Sequence, residues 1–467
     1  MRTQHVLFAA SISLATACSS EPLAEHDMAT AELGLSVSAA SSKATARTNL
    51  KPLRPCTTYE ASIRAVSDRI ETRADLAAVR GRWNNAPLSA FDKEAMKRAY
   101  VLRCQPNVDL ALPAASPANV QLIESVFPEA KWNELTTLLG DGEAGPIDAT
   151  SFTYLNFLRA ASRMPYFCGE AGTFRTVKEA CQREIASLFA HGAQETGAHD
   201  PSLKIPEWKQ AFSYIREINS YDSNPTYDPG TPGSPAKCVA PFVCPASAHY
   251  YGRGIKQLSH FYNYAAFSAA FLGDPQALLS QPDRVAREGY LAIASGIWFH
   301  MSPRPPVPSI HDVLVGRYQP AGGHAGVERD HHGGVRDRFE ATVSIINGAY
   351  ECSPPPGSLV AKQSANRFRY YTSLLEYLGA EKDAIEASYG AGKVCNIANG
   401  NPWPGAPIIF NPAWYFDTAE GTCTALTYEP RSALTLVTEG MQSVCTKMFA
   451  TTKRPDGSAL PRATHGP

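Results

Sequence analysis

Two glutamates stand where the chain could place an acid and a base. Glu195 follows an apolar helical stripe of Ile185, Leu188 and Phe189 that ends just before Gln194. A carboxyl group at the C-terminal end of a buried helix lies beside apolar side chains and near the negative end of the helix dipole. Both surroundings favour its neutral form, which a general acid needs.

Glu217 has a different setting. The periodic apolar residues Trp208, Phe212 and Ile215 predict a second helical segment, which leaves Glu217 at the edge of the buried face beside Arg216. A nearby cation keeps a carboxylate ionised, as a general base requires. A glutamate near a helix end is more often a solvated or capping residue, so the case for both residues depends on neighbouring motifs.

Residues 249–264 concentrate aromatic, amide and hydroxyl side chains around Gly252 and Gly254. Aromatic faces stack on the apolar side of a pyranose ring, while amides and hydroxyls hydrogen-bond to its substituents. On composition alone an equal alternative is a glycine turn whose tyrosines pack in the core. The segment therefore indicates either a sugar-binding surface or an aromatic core.

Five motifs occur in the order found in glycoside hydrolase family 19 chitinases. They are Gln194-Glu-Thr-Gly197, Tyr250-Tyr-Gly-Arg-Gly-x-x-Gln-Leu-Ser-His-x-Tyr-Asn-Tyr264, Trp298-Phe-His-Met-Ser-Pro303, His311-Asp-Val313 and Ile345-Ile-Asn-Gly-x-x-Glu-Cys352. The chain resembles these enzymes over about residues 127–379. The resemblance implies a mainly α, lysozyme-like domain of two lobes, with a substrate cleft between them and disulfide-stapled loops.

The resemblance also assigns roles to individual residues. Glu195 falls on the general acid, Glu217 on the general base, and Ser259 on the residue that helps to hold the attacking water. The positions that contact the N-acetylglucosamine chain are Gln257, Tyr262, Asn263 and Asn347. Arg367 falls on an arginine that lies beside the acid or the base. The family inverts the anomeric carbon, which requires carboxyl groups about 6.5–9.5 Å apart. No cofactor is implied.

The chain departs from plant family members beside these residues. Gln194 replaces the histidine that precedes the acid, Phe261 replaces an asparagine, and Val307 stands where a lysine is common. Ile255 and Lys256 replace a Pro-Ile pair. Subsite affinity and substrate preference are therefore less well defined than the reaction.

Helical periodicity with almost no two-residue alternation places the catalytic domain at residues 120–400. Residues 56–119 form a small helical region and a proline-containing connector of unknown role, and residues 401–467 form a proline-rich extension. Residues 19–55 are rich in Ala, Ser and Thr and are expected to be a disordered tether.

Residues 1–18 carry a basic tip and a short apolar run, which predict an export signal. The segment ending at Cys18 suits ordinary cleavage or bacterial lipoprotein processing. The chain has 11 cysteines, and setting aside a lipidated Cys18 leaves an even number for disulfides in an oxidising compartment. This arithmetic favours an outer-membrane-anchored lipoprotein, with simple secretion and one spare thiol as the alternative.

The remaining cysteines suggest a set of local bridges. Cys56 and Cys104 could close the small helical region, and Cys423 and Cys445 the extension. The resemblance implies that Cys238–Cys244 and Cys352–Cys395 correspond to disulfide bridges of the family. A Cys168–Cys181 bridge would be a local addition.

Composition excludes several classes of partner. Among 467 residues, 43 basic and 44 acidic side chains leave a formal charge of -1, so no field attracts nucleic acid or anionic lipid.

A candidate metal cluster comprises His324, Asp330, His331 and His332, but no helical His-x-x-x-His accompanies it, and no metal is predicted.

The leading hypothesis is a monomeric endo-chitinase that binds chitin or chitooligosaccharides. Peptidoglycan also contains N-acetylglucosamine, so a muramidase of the endolysin type is a second hypothesis. A third is a surface protein that binds chitin through an inactive cleft. Such proteins commonly lose a catalytic carboxylate, whereas Glu195 and Glu217 are both present.

Overall fold

The computed structural model describes residues 116–140, 150–217, 244–245, 247–272, 276–303, 307–319 and 334–397, and the backbone of 414–417 and 422–425. The predicted signal, tether and small helical region, with Cys18, Cys56 and Cys104, lie outside these ranges. So do Cys238, Cys445 and the candidate metal residues His324, Asp330, His331 and His332. Cys423 lies in a strand whose side chains are outside the described residues.

The described chain is mostly helical, as the sequence predicts. Its helices are α1 (Ala118–Val126), α2 (Glu129–Leu135), α3 (Tyr154–Ser162), α4 (Val177–Thr196), α5 (Phe261–Leu272), α6 (Gln276–Ser280), α7 (Arg284–Arg287), α8 (Gly289–Met301), α9 (Ile310–Leu314), α10 (Arg338–Glu351), α11 (Leu359–Tyr377) and α12 (Ala384–Ala387). An antiparallel pair, β1 (Trp414–Asp417) and β2 (Thr422–Ala425), aligns Trp414 with Ala425. Within the described ranges, no helix is long and apolar enough to span a bilayer.

Helix α4 lies at the centre of the large apolar core and packs against α1, α8, α9 and α11. Thr176 begins the helix by accepting a hydrogen bond from the Glu179 amide. Phe189 of α4 lies 5.0 Å from the ring of Phe127 and 6.0 Å from that of Trp132. Burying a ring of this size contributes about 1.5–3 kcal/mol, so the helix that carries Glu195 is firmly held.

A second, smaller apolar cluster joins α9 to α10. Its buried members are Val307, Ile310, Val313, Leu314, Tyr318, Val335, Ala341 and Ile345. Helix α10 therefore contributes to both clusters, because Phe339 and Val343 belong to the large core. That position brings the residues of α10 beside the end of α4.

His311 of α9 lies between two carboxylates. Its Nδ1 is 2.5 Å from Glu184 Oε1, and its Nε2 is 2.7 Å from Glu170 Oε1. Burial opposes charge on the imidazole, but Glu184 and Glu170 outweigh it and raise the pKa of His311 to about 9. Burial also opposes charge on Glu184, yet His311 and His300 lower the pKa of Glu184 to about 2. The ion pair ties α9 to the middle of α4.

Two of the predicted disulfides are confirmed. Cys168 pairs with Cys181 across 13 residues, and Cys352 pairs with Cys395 across 43 residues. Cys244 is also disulfide-bonded. The first bridge fixes the loop before α4 onto that helix, and the second fastens the end of α10 to the segment after α12.

Candidate active site

Glu195 occupies the last turn of α4. The helix continues to Thr196 and is capped by Gly197, so Glu195 lies at the end of a buried helix, as predicted. Gly197 donates its amide to the Ala193 carbonyl, which closes the final turn. The Glu195 side chain is 13% exposed, which places its carboxyl group at the boundary between core and solvent.

A buried arginine holds Glu195. Arg367 of α11 donates through Nη2 to Glu195 Oε1 at 2.5 Å and to Glu351 Oε1 at 2.6 Å. Its Nε donates to Glu351 Oε2, also at 2.6 Å. Arg367 thus joins two carboxylates, and it lies where the sequence placed it, beside the proposed acid.

Arg367 is a permanent cation in this setting. Burial opposes its charge, but Glu351 and Glu195 outweigh burial and raise the pKa of Arg367 above its ordinary value. Arg367 engages Glu195 Oε1 and so fixes the direction of the carboxyl group. A charged partner at this position was not expected from the apolar surroundings of the helix end. A fixed carboxyl group with one oxygen committed is suited to directional proton transfer.

Glu351 is a site residue to which sequence reasoning gave no role. It is fully buried at the end of α10, and its Oε1 accepts from both Arg367 and the Asn347 side-chain amide at 2.8 Å. Asn347 has a non-helical backbone, φ −145° and ψ 33°, which kinks α10 at this point. The only available signal was the presence of both residues in the motif Ile345 to Cys352.

Glu217 lies in an extended segment and not at a helix edge. The helical prediction was wrong because only Glu207–Lys209 forms a turn of helix, and Phe212 has a left-handed φ of 67°. Glu217 accepts from the Gly252 amide through Oε2 at 2.8 Å and donates its own amide to the Gly252 carbonyl at 2.9 Å. Its carboxylate is therefore fixed to the central motif.

The predicted cation beside Glu217 has another partner. Arg216 Nη1 donates to Asp283 Oδ1 at 3.0 Å, and Arg253 Nη2 lies 2.7 Å from the same oxygen. These two buried arginines, joined through Asp283, anchor the extended segment to the motif. The sequence did not predict this structural role of Arg216.

One hydrogen-bonded frame connects the two glutamates. Thr196, the residue after Glu195, accepts from the Phe212 amide through its hydroxyl at 3.0 Å and from the Tyr214 amide through its carbonyl at 2.9 Å. Gly254 of the central motif then donates to the Ile215 carbonyl at 2.9 Å. The end of α4, the extended segment and the motif are therefore joined by one hydrogen-bond network.

The side chains of Gln257, Ser259 and Asn263 are engaged with protein atoms, and Gln257 lies beside Gly252, the partner of Glu217. Gln257, at φ 53°, donates its side-chain amide to the carbonyls of Ile215 and Gly254, both at 3.2 Å. The Ser259 hydroxyl donates to the Gln257 carbonyl at 2.9 Å, and the Asn263 amide donates to the Ser259 carbonyl at 2.8 Å. Tyr262 lies on α5, and its side chain is outside the described residues.

Tyr250 and Tyr264 of the central motif belong to the apolar core. Tyr250 and Tyr264 are fully buried with ring centroids 5.5 Å apart. Tyr250 donates its hydroxyl to the Leu279 carbonyl, and Tyr264 donates to the Tyr251 carbonyl, each at 2.7 Å. Burial raises the pKa of both phenols. For these two residues the core alternative is therefore confirmed.

Nothing in the described part of the chain suggests a metal centre. No group of three or more His, Cys, Asp or Glu side chains in those ranges has a metal-binding arrangement. The charged groups near the glutamates are paired with each other instead.

Comparison with known proteins supports the same reading of the motifs. Residues 137–385 match the family described as chitinase class I. The chain belongs to this family. The match contains both Glu195 and Glu217, together with Glu351 and Arg367, and ends before Cys395.

Chitinase class I relatives occur in plants. The chain is 33% identical to Endochitinase 1 of Solanum tuberosum over 224 residues, which cover 48% of this chain and 62% of the relative. It is 31% identical to the Basic endochitinase of Vitis vinifera over 245 residues, 52% of this chain and 67% of the relative. The chain thus spans less than two thirds of the length of the first of these relatives.

Solved structures of similar chains include bacterial and plant chitinases. Chitinase C from Streptomyces griseus HUT6037 is 25% identical, with 55% of this chain and 93% of that chain covered and a TM-score of 0.37. A family GH19, class IV chitinase from Zea mays is also 25% identical, with 56% and 98% covered and a TM-score of 0.37.

Proposed function

We propose that this chitinase class I chain is an endo-chitinase that hydrolyses β-1,4 bonds between N-acetylglucosamine units with inversion. The observation that carries the proposal is the contrast between two carboxylates on one frame. Glu195 is held by buried Arg367 at the end of α4, whereas Glu217 is held by a backbone amide of the central motif. Family membership and the endochitinase relatives support the substrate class.

In the proposed reaction Glu195 protonates the oxygen of the leaving sugar. Glu217 takes a proton from water that attacks the opposite face of the ring, and Ser259 helps to hold that water. Because one carboxyl group acts as acid and the other as base, the products have the inverted configuration. Gln257, Tyr262, Asn263 and Asn347 would contact the N-acetylglucosamine chain through their polar groups.

We also propose that the protein acts outside the cytoplasm. The Cys168–Cys181 and Cys352–Cys395 bridges favour an oxidising compartment, because cytoplasmic thiols are normally kept reduced. The enzyme would work as a monomer, and lipidation of Cys18 would add a membrane anchor.

The test compares release of reducing ends from colloidal chitin and from purified bacterial cell walls. Wild type should act on chitin, and Glu195→Gln and Glu217→Gln should each lose about 10²–10⁴-fold, the usual contribution of general acid or base catalysis. Glu134→Gln is the matched control, because Glu134 is 52% exposed and pairs with Lys209 at the surface. It should retain full activity.

Three outcomes would contradict the proposal. Activity on cell walls alone would identify a muramidase. Binding of chitin without hydrolysis by wild type would identify a non-catalytic protein. Full activity of Glu195→Gln would remove that residue from the acid role.

A further inference from the structure

His191 lies one helical turn before Glu195 on the same face of α4 and is fully buried. Its Nδ1 is 3.1 Å from Arg367 Nη1, and its Nε2 is 2.9 Å from Thr342 Oγ1. The ring also stacks on Phe339, with centroids 5.1 Å apart and planes 16° from parallel. His191 thus joins α4 to both α10 and α11 at the arginine that holds the proposed acid.

The hydrogen bonds permit one proton arrangement. A guanidinium group only donates, so Nδ1 must accept from Arg367 and the ring proton must reside on Nε2. That proton is donated to the Thr342 hydroxyl, which in turn donates to the Phe339 carbonyl at 2.7 Å. His191 therefore presents a fixed lone pair to Arg367.

The surroundings keep His191 neutral. Burial lowers the pKa of His191 well below its ordinary value, and the charges of Lys256 and Arg367 and the nearby His300 lower it further. A protonated ring would direct an N–H group at the guanidinium and break the contact. Nδ1 therefore remains an acceptor at neutral pH.

A neutral acceptor is what this position of Arg367 requires. Arg367 already donates to Glu351 and Glu195 through Nε and Nη2. A third carboxylate at Nη1 would compete with Glu195 for the positive charge of the guanidinium. An imidazole lone pair fixes the plane of the guanidinium without adding charge. With Nη1 held by His191, Nη2 stays between the two carboxylates.

We propose that His191 is a positioning residue, which sets the orientation of Arg367 and through it the direction of the Glu195 carboxyl group. The inference rests on the proposed function in so far as Glu195 is the acid. It predicts an effect on the catalytic step and little effect on substrate binding, because His191 is buried behind Arg367.

Two substitutions separate the acceptor from the bulk of the ring. In His191→Asn the side-chain oxygen can replace Nδ1, whereas His191→Leu fills similar space without an acceptor. On N-acetylglucosamine oligomers, His191→Leu should lower kcat by about 10- to 100-fold with KM changed less than about threefold. The kcat of His191→Asn should be at least about tenfold higher than that of His191→Leu. The proposal would be overturned if kcat of His191→Leu lay within about twofold of wild type. It would also be overturned if His191→Asn were as impaired as His191→Leu.

A spectroscopic measurement tests the inference independently of activity. In wild type labelled with ¹⁵N at histidine, the His191 signal should show a bare Nδ1 and a protonated Nε2 at every pH from about 5 to 8. A protonated Nδ1 would overturn the proposal even if both variants failed to fold. Should wild type not hydrolyse chitin oligomers, the proposed function fails, whereas this measurement still decides whether His191 orients Arg367.

Discussion

Replacing Arg367 with lysine tests the buried charge arrangement most sharply. The guanidinium makes two hydrogen bonds to Glu351, one to Glu195 and one to His191. A lysine ammonium keeps the charge but is a single point that cannot span two carboxylates. We expect Arg367→Lys to lose about two of the three charged bonds.

The magnitude follows from the strength of such bonds. A hydrogen bond to a charged group contributes about 1.5–3 kcal/mol, so the loss of two should lower the free energy of unfolding by about 3–6 kcal/mol. Domain stability is about 5–15 kcal/mol, so this loss is a large fraction of the total and the urea midpoint should fall sharply. Activity on chitin oligomers should fall by about 100-fold or more, since Glu195 loses its orientation.

Arg369 provides a matched control on the same helix. Its side chain is 52% exposed and pairs with Glu207, so Arg369→Lys should change the free energy of unfolding by less than about 1 kcal/mol. Urea unfolding followed by circular dichroism, with initial rates measured in parallel, compares the two variants. If Arg367→Lys matches Arg369→Lys in both stability and rate, the buried arginine does not hold the site together.

Three further predictions concern the frame around the site. The pKa of His311 is higher in the folded protein than in the unfolded chain, so the stability that His311 contributes is complete below pH 6.5 and disappears as pH rises through about 9. The free energy of unfolding of wild type should fall by about 3 kcal/mol between these pH values, at about 1.4 kcal/mol per pKa unit, and that of His311→Asn should fall much less. Replacing both Cys168 and Cys181 with alanine removes a bridge across 13 residues and should lower the free energy of unfolding by about 3 kcal/mol in urea titrations, an unchanged midpoint being the contrary result. A Cβ on Gly252 would lie 2.6 Å from Gln257 Oε1 and 3.1 Å from Glu217 Oε2, so Gly252→Ala should displace both side chains and reduce kcat by about tenfold. An unchanged rate would contradict the placement of both residues at the site.

The sequence predicted those parts of the structure that depend on local pattern or on specific motifs. The apolar stripe through Ile185 and Phe189 correctly indicated the buried helix that carries Glu195. The resemblance to family 19 chitinases correctly paired Cys352 with Cys395. In each case the relevant signal lies within a contiguous stretch of residues or in a motif shared with known enzymes.

The rest depends on contacts between distant segments. The apolar spacing before Glu217 resembled a helix, but the segment is held extended by the amides of Phe212 and Tyr214, which donate to Thr196, and by hydrogen bonds between Glu217 and Gly252. Such partners override local propensity and leave no trace in a hydrophobic pattern. The role of Glu351 was missed for the same reason, because it follows from pairing with Arg367, a residue on the next long helix.

The most direct test of the central claim is the configuration of the first product. Proton NMR spectra recorded within minutes of adding the enzyme to an N-acetylglucosamine hexamer report the anomer formed before it equilibrates. If Glu195 is the acid and Glu217 is the base that activates water, the initial product should be the α-anomer. Initial formation of the β-anomer would indicate a retaining mechanism and would contradict the roles given to both glutamates.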